Sequence, residues 1–145
     1  MIRPAPGLTI EEQPEPVVLR MLAWGEARNQ GGEGIAAVLW VVRNRALKSG
    51  RTYKMEALRH LQFSCFNEND PNRDKLLTAW LTDGRGWSNV DHIAELFEGG
   101  HLNDPTLGST HYYVASMTNP PRWGSPEHGW QHRARIGAHE FGVAA

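Results

Sequence analysis

The pattern of apolar and polar positions predicts two adjoining helices in the first third of the chain. Pro16 fits the first turn of a helix over residues 15–28, because proline lacks only an N–H that this turn leaves unbonded. The apolar positions of this helix are Val17, Leu19, Met21, Leu22 and Trp24. After a glycine-rich loop at 29–34, a second helix over 33–48 is apolar on every face between residues 35 and 42. Such a helix is typical of the buried centre of a small domain.

Shorter elements follow in the rest of the chain. They are a helix at 54–61, an extended segment at 62–66, a helix at 73–82 capped by Asn72 with Leu76, Leu77, Trp80 and Leu81 inward, a break at 83–86, and a helix at 90–97. From residue 110 onward, aromatic and β-branched residues at 110–115 and alternating segments at 130–139 predict strands. We therefore expect a single α+β, mainly helical domain over residues 15–145, preceded by an extended, proline-rich arm at 1–14.

Composition narrows the classes of function. The chain of 145 residues is long enough for one domain with its own core, and the single Cys65 excludes an internal disulfide framework. A net charge of -1 gives no support for nucleic-acid binding. No apolar run is long enough to insert into a membrane. Residues 1–7 lack the pattern of a signal peptide, so we expect synthesis in the cytoplasm without an export signal.

One carboxylate, Glu26, lies at the predicted end of the first helix, directly before the glycine turn into the apolar second helix. Loss of water at that place disfavours the charged form of a carboxyl group and raises its pKa. A carboxylic acid that stays protonated near neutral pH is what cleavage of a glycosidic bond requires of its general acid. Glu26 is therefore the first candidate for a catalytic residue.

Five short motifs occur in a fixed order along the chain. They are Glu26-Ala27-Arg28, Val41-Val42-Arg43-Asn44-Arg45, Gln62-Phe63-Ser64, Gly108-Ser109-Thr110-His111-Tyr112-Tyr113 and Ile136-Gly137-Ala138-His139-Glu140-Phe141. In this order and spacing the set resembles the SleB-like cell wall hydrolases, the family of the spore-cortex-lytic enzymes, which has relatives in many bacteria and their phages. The resemblance extends over about residues 17–142.

The resemblance implies a lysozyme-like domain that acts on the glycan strands of peptidoglycan. Family members resemble lytic transglycosylases, which cut between N-acetylmuramic acid (MurNAc) and N-acetylglucosamine (GlcNAc) with one essential glutamate. That role falls on Glu26, the glutamate of the Glu-Ala-Arg motif. The C6 hydroxyl of the same muramic acid then closes onto C1 to give a 1,6-anhydro ring, so neither a cofactor nor a second carboxylate is needed, unlike in most glycosidases.

Several polar and aromatic residues are candidates for binding the glycan. Gln62 and Ser64 alternate with Phe63, so on a strand they would face one side and either bind sugar groups or tie two lobes together. The further candidates are His111, Tyr112 and Tyr113 on a strand facing the cleft, Trp123, which with Trp130 would stack on sugars or fill the core, and His139.

Other polar residues have structural interpretations. Arg28 does not share the helical face of Glu26 and is expected to pair with another carboxylate or with a carbonyl group. Asn44 and Arg45 end a buried helix, where their side chains would satisfy backbone groups. Cys65 is expected to be an inert, small apolar residue.

Alternatives stay open at this point. Glu33, Glu68 and Asp70 are candidates for a second carboxylate that would hold a hydrolytic water, although Glu33 has the simpler role of favouring the start of the second helix. His111 and His139 with Glu26 or Cys65 would suit a zinc-dependent N-acetylmuramoyl-L-alanine amidase. No His-Glu-x-x-His motif is present, and we predict no metal site. A non-catalytic, glycan-binding virion module is the remaining alternative.

The expected partners follow from these predictions. They are peptidoglycan glycan strands, with no nucleic acid and no membrane insertion, and the protein is expected to be a monomer. The bare catalytic domain predicts a phage endolysin that depends on a holin to reach the cell wall, or a lysin carried in a virion.

Overall fold

The computed structural model describes residues 1–59 and 63–145. In these residues the elements are α1 (Glu15–Ala27), α2 (Gly31–Ser49), α3 (Tyr53–Ala57), α4 (Ala79–Thr82), α5 (Gly84–Glu98), β1 (His111–Val114), β2 (Gln131–Ile136) and β3 (His139–Val143). Short 3-10 helices occur at Ser64–Phe66, Arg73–Lys75, Arg122–Gly124 and Pro126–His128. The predicted α+β class, mainly helical with a small C-terminal β region, is confirmed.

Helix α2 is the buried centre of the domain, as its apolar pattern predicts. Ile35, Val38, Leu39, Val41 and Val42 are all at most 1% exposed, and the helix packs against α1 and α5. None of the helices in the described part of the chain is long and apolar enough to cross a bilayer.

The glycine turn between α1 and α2 is shorter than predicted, because α2 already begins at Gly31. Gly31 has a φ of +75°, which a residue without a Cβ adopts freely. Gly34 lies inside α2 against the side chain of Gln30, where a Cβ would collide. Close packing therefore explains a glycine that helix propensity alone would place in a loop.

Residues 1–14 pack on the helical core and contain turns at residues 6–7 and 10–12. The side chain of Gln13 is fully buried and bonds the N–H and carbonyl groups of Ala5. Trp87 Nε1 donates to the carbonyl of Ile2 at 2.9 Å. The Gln13 bonds thus fold the segment onto itself, and the Trp87 bond ties its beginning to α5.

Two predictions for the middle of the chain are wrong. The helix expected over 73–82 is divided into a 3-10 helix and the short α4, and Leu81, expected inward, is 64% exposed. The break expected at 83–86 is instead the start of α5, because the Asp83 carboxylate accepts a hydrogen bond from the N–H of Gly86. This side-chain cap outweighs the low helix propensity of the two glycines.

Of the helix expected over 54–61, residues 53–57 are helical, and residues 60 and 61 lie outside the described part.

The three strands form an antiparallel sheet in the order β1-β3-β2. Tyr112 pairs with Phe141 across β1 and β3, and Phe141 is fully buried against the helices. The turn between β2 and β3 is tied to the α1–α2 turn, because Ala138 N–H donates to Gln30 Oε1 at 2.9 Å. Arg45 on α2 donates to the carbonyl of Thr110 directly before β1. These bonds hold β1 beside the end of α1.

Candidate active site

A cleft of about 660 Å³ lies between the end of α1, the 3-10 helix Ser64–Phe66 and strand β1. Most of the residues predicted from the sequence to form the site line this cleft, namely Glu26, Ser64, His111, Tyr112, Tyr113, Trp123 and His139. Gln62, the remaining predicted binding residue, lies outside the described residues. The cleft is large enough to hold more than one sugar ring, in the size range of ordinary ligand sites.

Glu26 lies one residue before the end of α1, and both of its carboxylate oxygens are hydrogen-bonded. Tyr112 Oη donates to Glu26 Oε1 at 2.7 Å, and Ser64 Oγ donates to Glu26 Oε2 at 3.2 Å. The three side chains come from a helix, a strand and a 3-10 turn. The carboxyl group is therefore fixed by three separate parts of the chain.

The glycine before Glu26 permits this arrangement. A Cβ at Gly25 would lie 2.6 Å from Cys65 Cβ and 2.8 Å from Cys65 Sγ. Only glycine lets the segment containing Ser64 and Cys65 approach α1 so closely, and this approach brings Ser64 Oγ within reach of Glu26. Sequence reasoning missed Gly25, although a glycine inside an otherwise apolar helix was a usable signal.

Burial raises the pKa of the Glu26 carboxyl group above its ordinary value, and the negative charge of Asp70 raises it further. The hydrogen bonds from Tyr112, Ser64 and the N–H of Cys65 act in the opposite direction without reversing the shift. The prediction that desolvation raises the pKa of Glu26 is confirmed. Glu26 therefore holds its proton to higher pH than an ordinary glutamate does.

Tyr112 is held by aromatic packing on several sides. Its ring centroid lies 5.0 Å from that of His139, 5.3 Å from Phe141 and 6.4 Å from Phe63. Burial, followed by the adjacent charge of Glu26, raises the pKa of Tyr112 well above its usual range. The phenol thus stays protonated and acts as a hydrogen-bond donor to Glu26.

A second aromatic group forms the outer wall of the cleft. The ring centroids of Trp123 and His111 are 5.0 Å apart, and the rings of Tyr113, Trp123 and Trp130 all contact one another, with centroids 5.5 to 6.1 Å apart. Trp123 is half-buried and lines the cleft, whereas Trp130 is buried behind it and does not. Trp130 therefore fills the core, whereas Trp123 is available to stack on a ligand.

The predicted strand alternation at 62–64 is wrong at Ser64, which begins a 3-10 helix. Phe63 is extended and buried, and the chain then turns tightly because the N–H of Asn67 bonds the carbonyl of Ser64. Ser64 is exposed to the cleft and contacts Glu26 directly.

The three candidates for a second carboxylate are placed differently. Glu33 is exposed in the first turn of α2, where its charge favours the positive end of the helix. Glu68 lines a separate pocket together with Glu11 and Arg73. Asp70 accepts a hydrogen bond from Asn72 N–H at 2.8 Å, and its charge acts on Glu26. Of the three, Asp70 is the one whose charge is among the main causes of the raised pKa of Glu26.

Polar residues behind the cleft hold the end of α1 in place. Arg28 lies over the ring of Trp24 at 4.0 Å and donates to its carbonyl, which confirms the predicted carbonyl partner. Asn72, predicted to cap a helix, instead donates to the carbonyl of Gly25 and accepts from Arg28. Its side chain thus bridges the loop and α1.

The polar residues near the end of α2 bond backbone carbonyls of the segment before β1, whereas the prediction was for backbone groups at the end of the helix itself. Asn44 donates to the carbonyl of Ser109, and Arg45 donates to that of Thr110. Both bonds join α2 to the segment that leads into β1.

The buried thiol and the two cleft histidines, His111 and His139, are uncharged near neutral pH. Burial raises the pKa of Cys65 well above its ordinary value, so this group stays a thiol. Burial, together with the positive charges of Arg45 and Lys48, lowers the pKa of His111 to about 4. Burial also lowers the pKa of His139. Among residues 1–59 and 63–145, no three His, Cys, Asp or Glu side chains are placed to share one metal ion.

Comparison with known proteins adds a structural relative. No protein-family model matches the sequence, and no curated protein shows significant similarity to it. Among solved structures, the catalytic domain of the germination-specific lytic transglycosylase SleB from Bacillus anthracis is similar, with a TM-score of 0.65 and 18% sequence identity. The two chains share one fold. The match covers 95% of this chain and 98% of the SleB domain. The predicted lysozyme-like fold and the SleB resemblance are confirmed at the level of the fold.

Proposed function

We propose that this protein degrades peptidoglycan as a lytic transglycosylase that cleaves the MurNAc–GlcNAc bond, with Glu26 as both general acid and general base. One observation carries the proposal: a desolvated carboxyl group with a raised pKa faces a sugar-sized cleft. The likeness in fold to a lytic transglycosylase catalytic domain supports the same reaction.

The reaction needs only one carboxyl group from the protein. Protonated Glu26 gives its proton to the glycosidic oxygen, and the bond between that oxygen and C1 of muramic acid breaks. The C6 hydroxyl oxygen of the same sugar forms the new bond to C1, and its proton passes to the Glu26 carboxylate. The enzyme regains its starting form, no water is consumed, and the product ends in a 1,6-anhydro ring.

The neighbours of Glu26 suit these two roles. Tyr112 donates to one carboxylate oxygen in both halves of the cycle and stabilises the anion that remains after proton transfer. The Ser64 hydroxyl both donates and accepts, so it can rotate to match the protonation state of the other oxygen. Tyr112 does not compete with Glu26 as an acid, because burial raises the pKa of Tyr112 well above its usual range.

The aromatic wall gives the cleft an affinity for sugar rings. Trp123, His111 and Tyr113 offer ring faces and polar edges along one side, and His111 is neutral near neutral pH because its pKa is about 4. Such surfaces suit the apolar faces and hydroxyl edges of a glycan strand. We assign these residues to substrate binding.

Mass spectrometry of the fragments released from purified peptidoglycan tests this function. Muropeptides that end in 1,6-anhydro-MurNAc support the proposal. Reducing muramic acid ends would instead show a hydrolase with a positioned water and direct attention to Asp70. Free stem peptides would show an amidase. Wall binding without released fragments would show a non-catalytic module.

We also propose the predicted phage context as an endolysin. Its test is expression inside bacterial cells with and without a co-expressed holin. Lysis only with the holin supports this context, and lysis without it contradicts holin dependence.

A further inference from the structure

A second pocket, of about 350 Å³, adjoins the active-site cleft. Arg45 and His111 line both cavities, so the two are neighbours across these side chains. The other residues that line the second pocket are Lys48, Ser49, Glu56, Arg59 and Thr110. We call it the basic pocket.

Positively charged side chains outnumber negatively charged ones around this pocket. Glu56 is 1% exposed and accepts hydrogen bonds from Arg45 Nε and Ser49 Oγ, both at 3.0 Å. Arg51 and Arg59 lie within ion-pair distance of the same carboxylate, at 3.5 and 3.9 Å. Burial alone would raise the pKa of Glu56, but the hydrogen bonds and the charges of Arg45 and Arg59 lower it, so it stays anionic. One negative charge thus faces three guanidinium groups.

Lys48 adds a further positive charge to the same pocket. The chain as a whole has a net charge of -1, so this concentration of cations is local. The low pKa of His111, to which Arg45 and Lys48 contribute, agrees with a positive potential at the boundary between the pocket and the cleft. A pocket with these properties favours an anion.

We propose that the basic pocket binds a carboxylate of the peptide stem that muramic acid carries, while the glycan strand occupies the cleft. This inference rests on the proposed function, because it assumes that the glycan lies beside Glu26. Arginine and lysine form their strongest hydrogen bonds with carboxylates. The shared lining by Arg45 and His111 puts the pocket within reach of a substituent on a bound sugar. The protein therefore selects peptide-bearing strands over bare glycan.

The test compares two substrates and two double variants. The substrates are peptidoglycan strands with intact stem peptides and the same strands after enzymatic removal of the peptides, both freed of phosphate-bearing wall polymers. The test variant Lys48→Glu/Arg59→Glu reverses two accessible charges of the pocket and leaves the buried Arg45 and Glu56 side chains unsubstituted. The control Lys75→Glu/Arg85→Glu makes the same change of charge at exposed residues that line neither cavity.

We expect the ratio of turnover on peptide-bearing strands to turnover on bare strands to fall about tenfold in the test variant, as for loss of charge-assisted hydrogen bonds. The control should keep the wild-type ratio. An unchanged ratio in the test variant, or an equal fall in the control, would overturn the subsite.

A binding measurement separates this inference from the proposed function. In a Glu26→Gln background, where no cleavage is expected, the affinities for both kinds of strand are measured with and without Lys48→Glu/Arg59→Glu. Loss of the preference for peptide-bearing strands supports the subsite even if the wild type cleaves nothing. Failure of the wild type to release fragments from either substrate would overturn the proposed function alone. A preference that survives the charge reversal would overturn the subsite alone.

Discussion

Tyr112 Oη donates a hydrogen bond of 2.7 Å to Glu26 Oε1, joining the first strand to the end of the first helix across 86 residues of sequence. The bond is short and comes from a phenol that aromatic neighbours hold in place. This bond stabilises the charged form of Glu26, so it partly offsets the rise in the pKa of Glu26 that burial causes. Tyr112 thus positions the proposed acid and tunes its pKa.

Replacement of Tyr112 tests this role. Tyr112→Phe keeps the ring but removes the donor, so the pKa of Glu26 should rise further. Because the proposed mechanism uses Glu26 as an acid, the alkaline limb of the rate–pH profile should move to higher pH. The maximal rate should fall about tenfold, as for loss of a hydrogen bond to a charged group. An alkaline limb that stays in place or moves to lower pH would contradict the assignment.

Asp70 should have the opposite effect on the same profile. Its negative charge raises the pKa of Glu26, so Asp70→Asn should lower that pKa and move the alkaline limb to lower pH. The amide oxygen of asparagine still accepts the bond from Asn72 N–H. Glu68→Gln is the matched control, since Glu68 lines a different pocket, and it should leave the profile unmoved. Equal shifts in both variants would show a general effect of charge instead.

The close approach at Gly25 should be sensitive to a single added methyl group. Gly25→Ala places a Cβ against Cys65 and should destabilise the domain by about 1–3 kcal/mol, while pushing Ser64 away from Glu26 and lowering the rate. Gly84→Ala, also in a helix, meets nothing within 4 Å and should be neutral or stabilising. Thermal unfolding and initial rates measure both effects. A Gly25→Ala protein as stable and active as Gly84→Ala would contradict the packing argument.

The raised pKa of Glu26 also predicts how stability varies with pH. In the folded protein Glu26 holds its proton above the ordinary pKa of 4.5, so the folded state binds more protons than the unfolded chain above that pH. The folded state therefore loses stability as pH rises from 4.5 through the raised pKa. Glu26→Gln removes this loss, so the melting temperature of the variant should rise relative to that of the wild type as the pH increases above 4.5. A constant difference in melting temperature would contradict the raised pKa.

Local signals along the sequence were sufficient for the helical core and the site's central residue. The apolar run in α2 required burial whatever it packed against, and the position of Glu26 beside it required desolvation. Strand β1 could be predicted because its residues are aromatic and β-branched, which is also a local signal. These features depend on neighbours close in sequence or on one strongly apolar helix.

Features that depend on contacts between distant segments could not be predicted. The partners Tyr112 and Ser64 reach Glu26 across 86 and 38 residues, and no local pattern encodes those bonds. The tight turn at Ser64 and the cap at Asp83 both override the propensities of the residues around them. The pocket around Glu56 escaped notice because its arginines are dispersed along the sequence.

The most direct test of Glu26 as the acid is the initial rate of fragment release from purified peptidoglycan by Glu26→Gln, with Glu33→Gln as the matched control. Both substitutions remove one carboxylate near the α1–α2 turn, but Glu33 is exposed on α2 and does not line the cleft. We predict that Glu26→Gln binds cell walls and folds normally but loses about 10² to 10⁴ in rate, as expected for general acid catalysis, whereas Glu33→Gln keeps the wild-type rate. Near wild-type release by a folded Glu26→Gln protein would contradict this account.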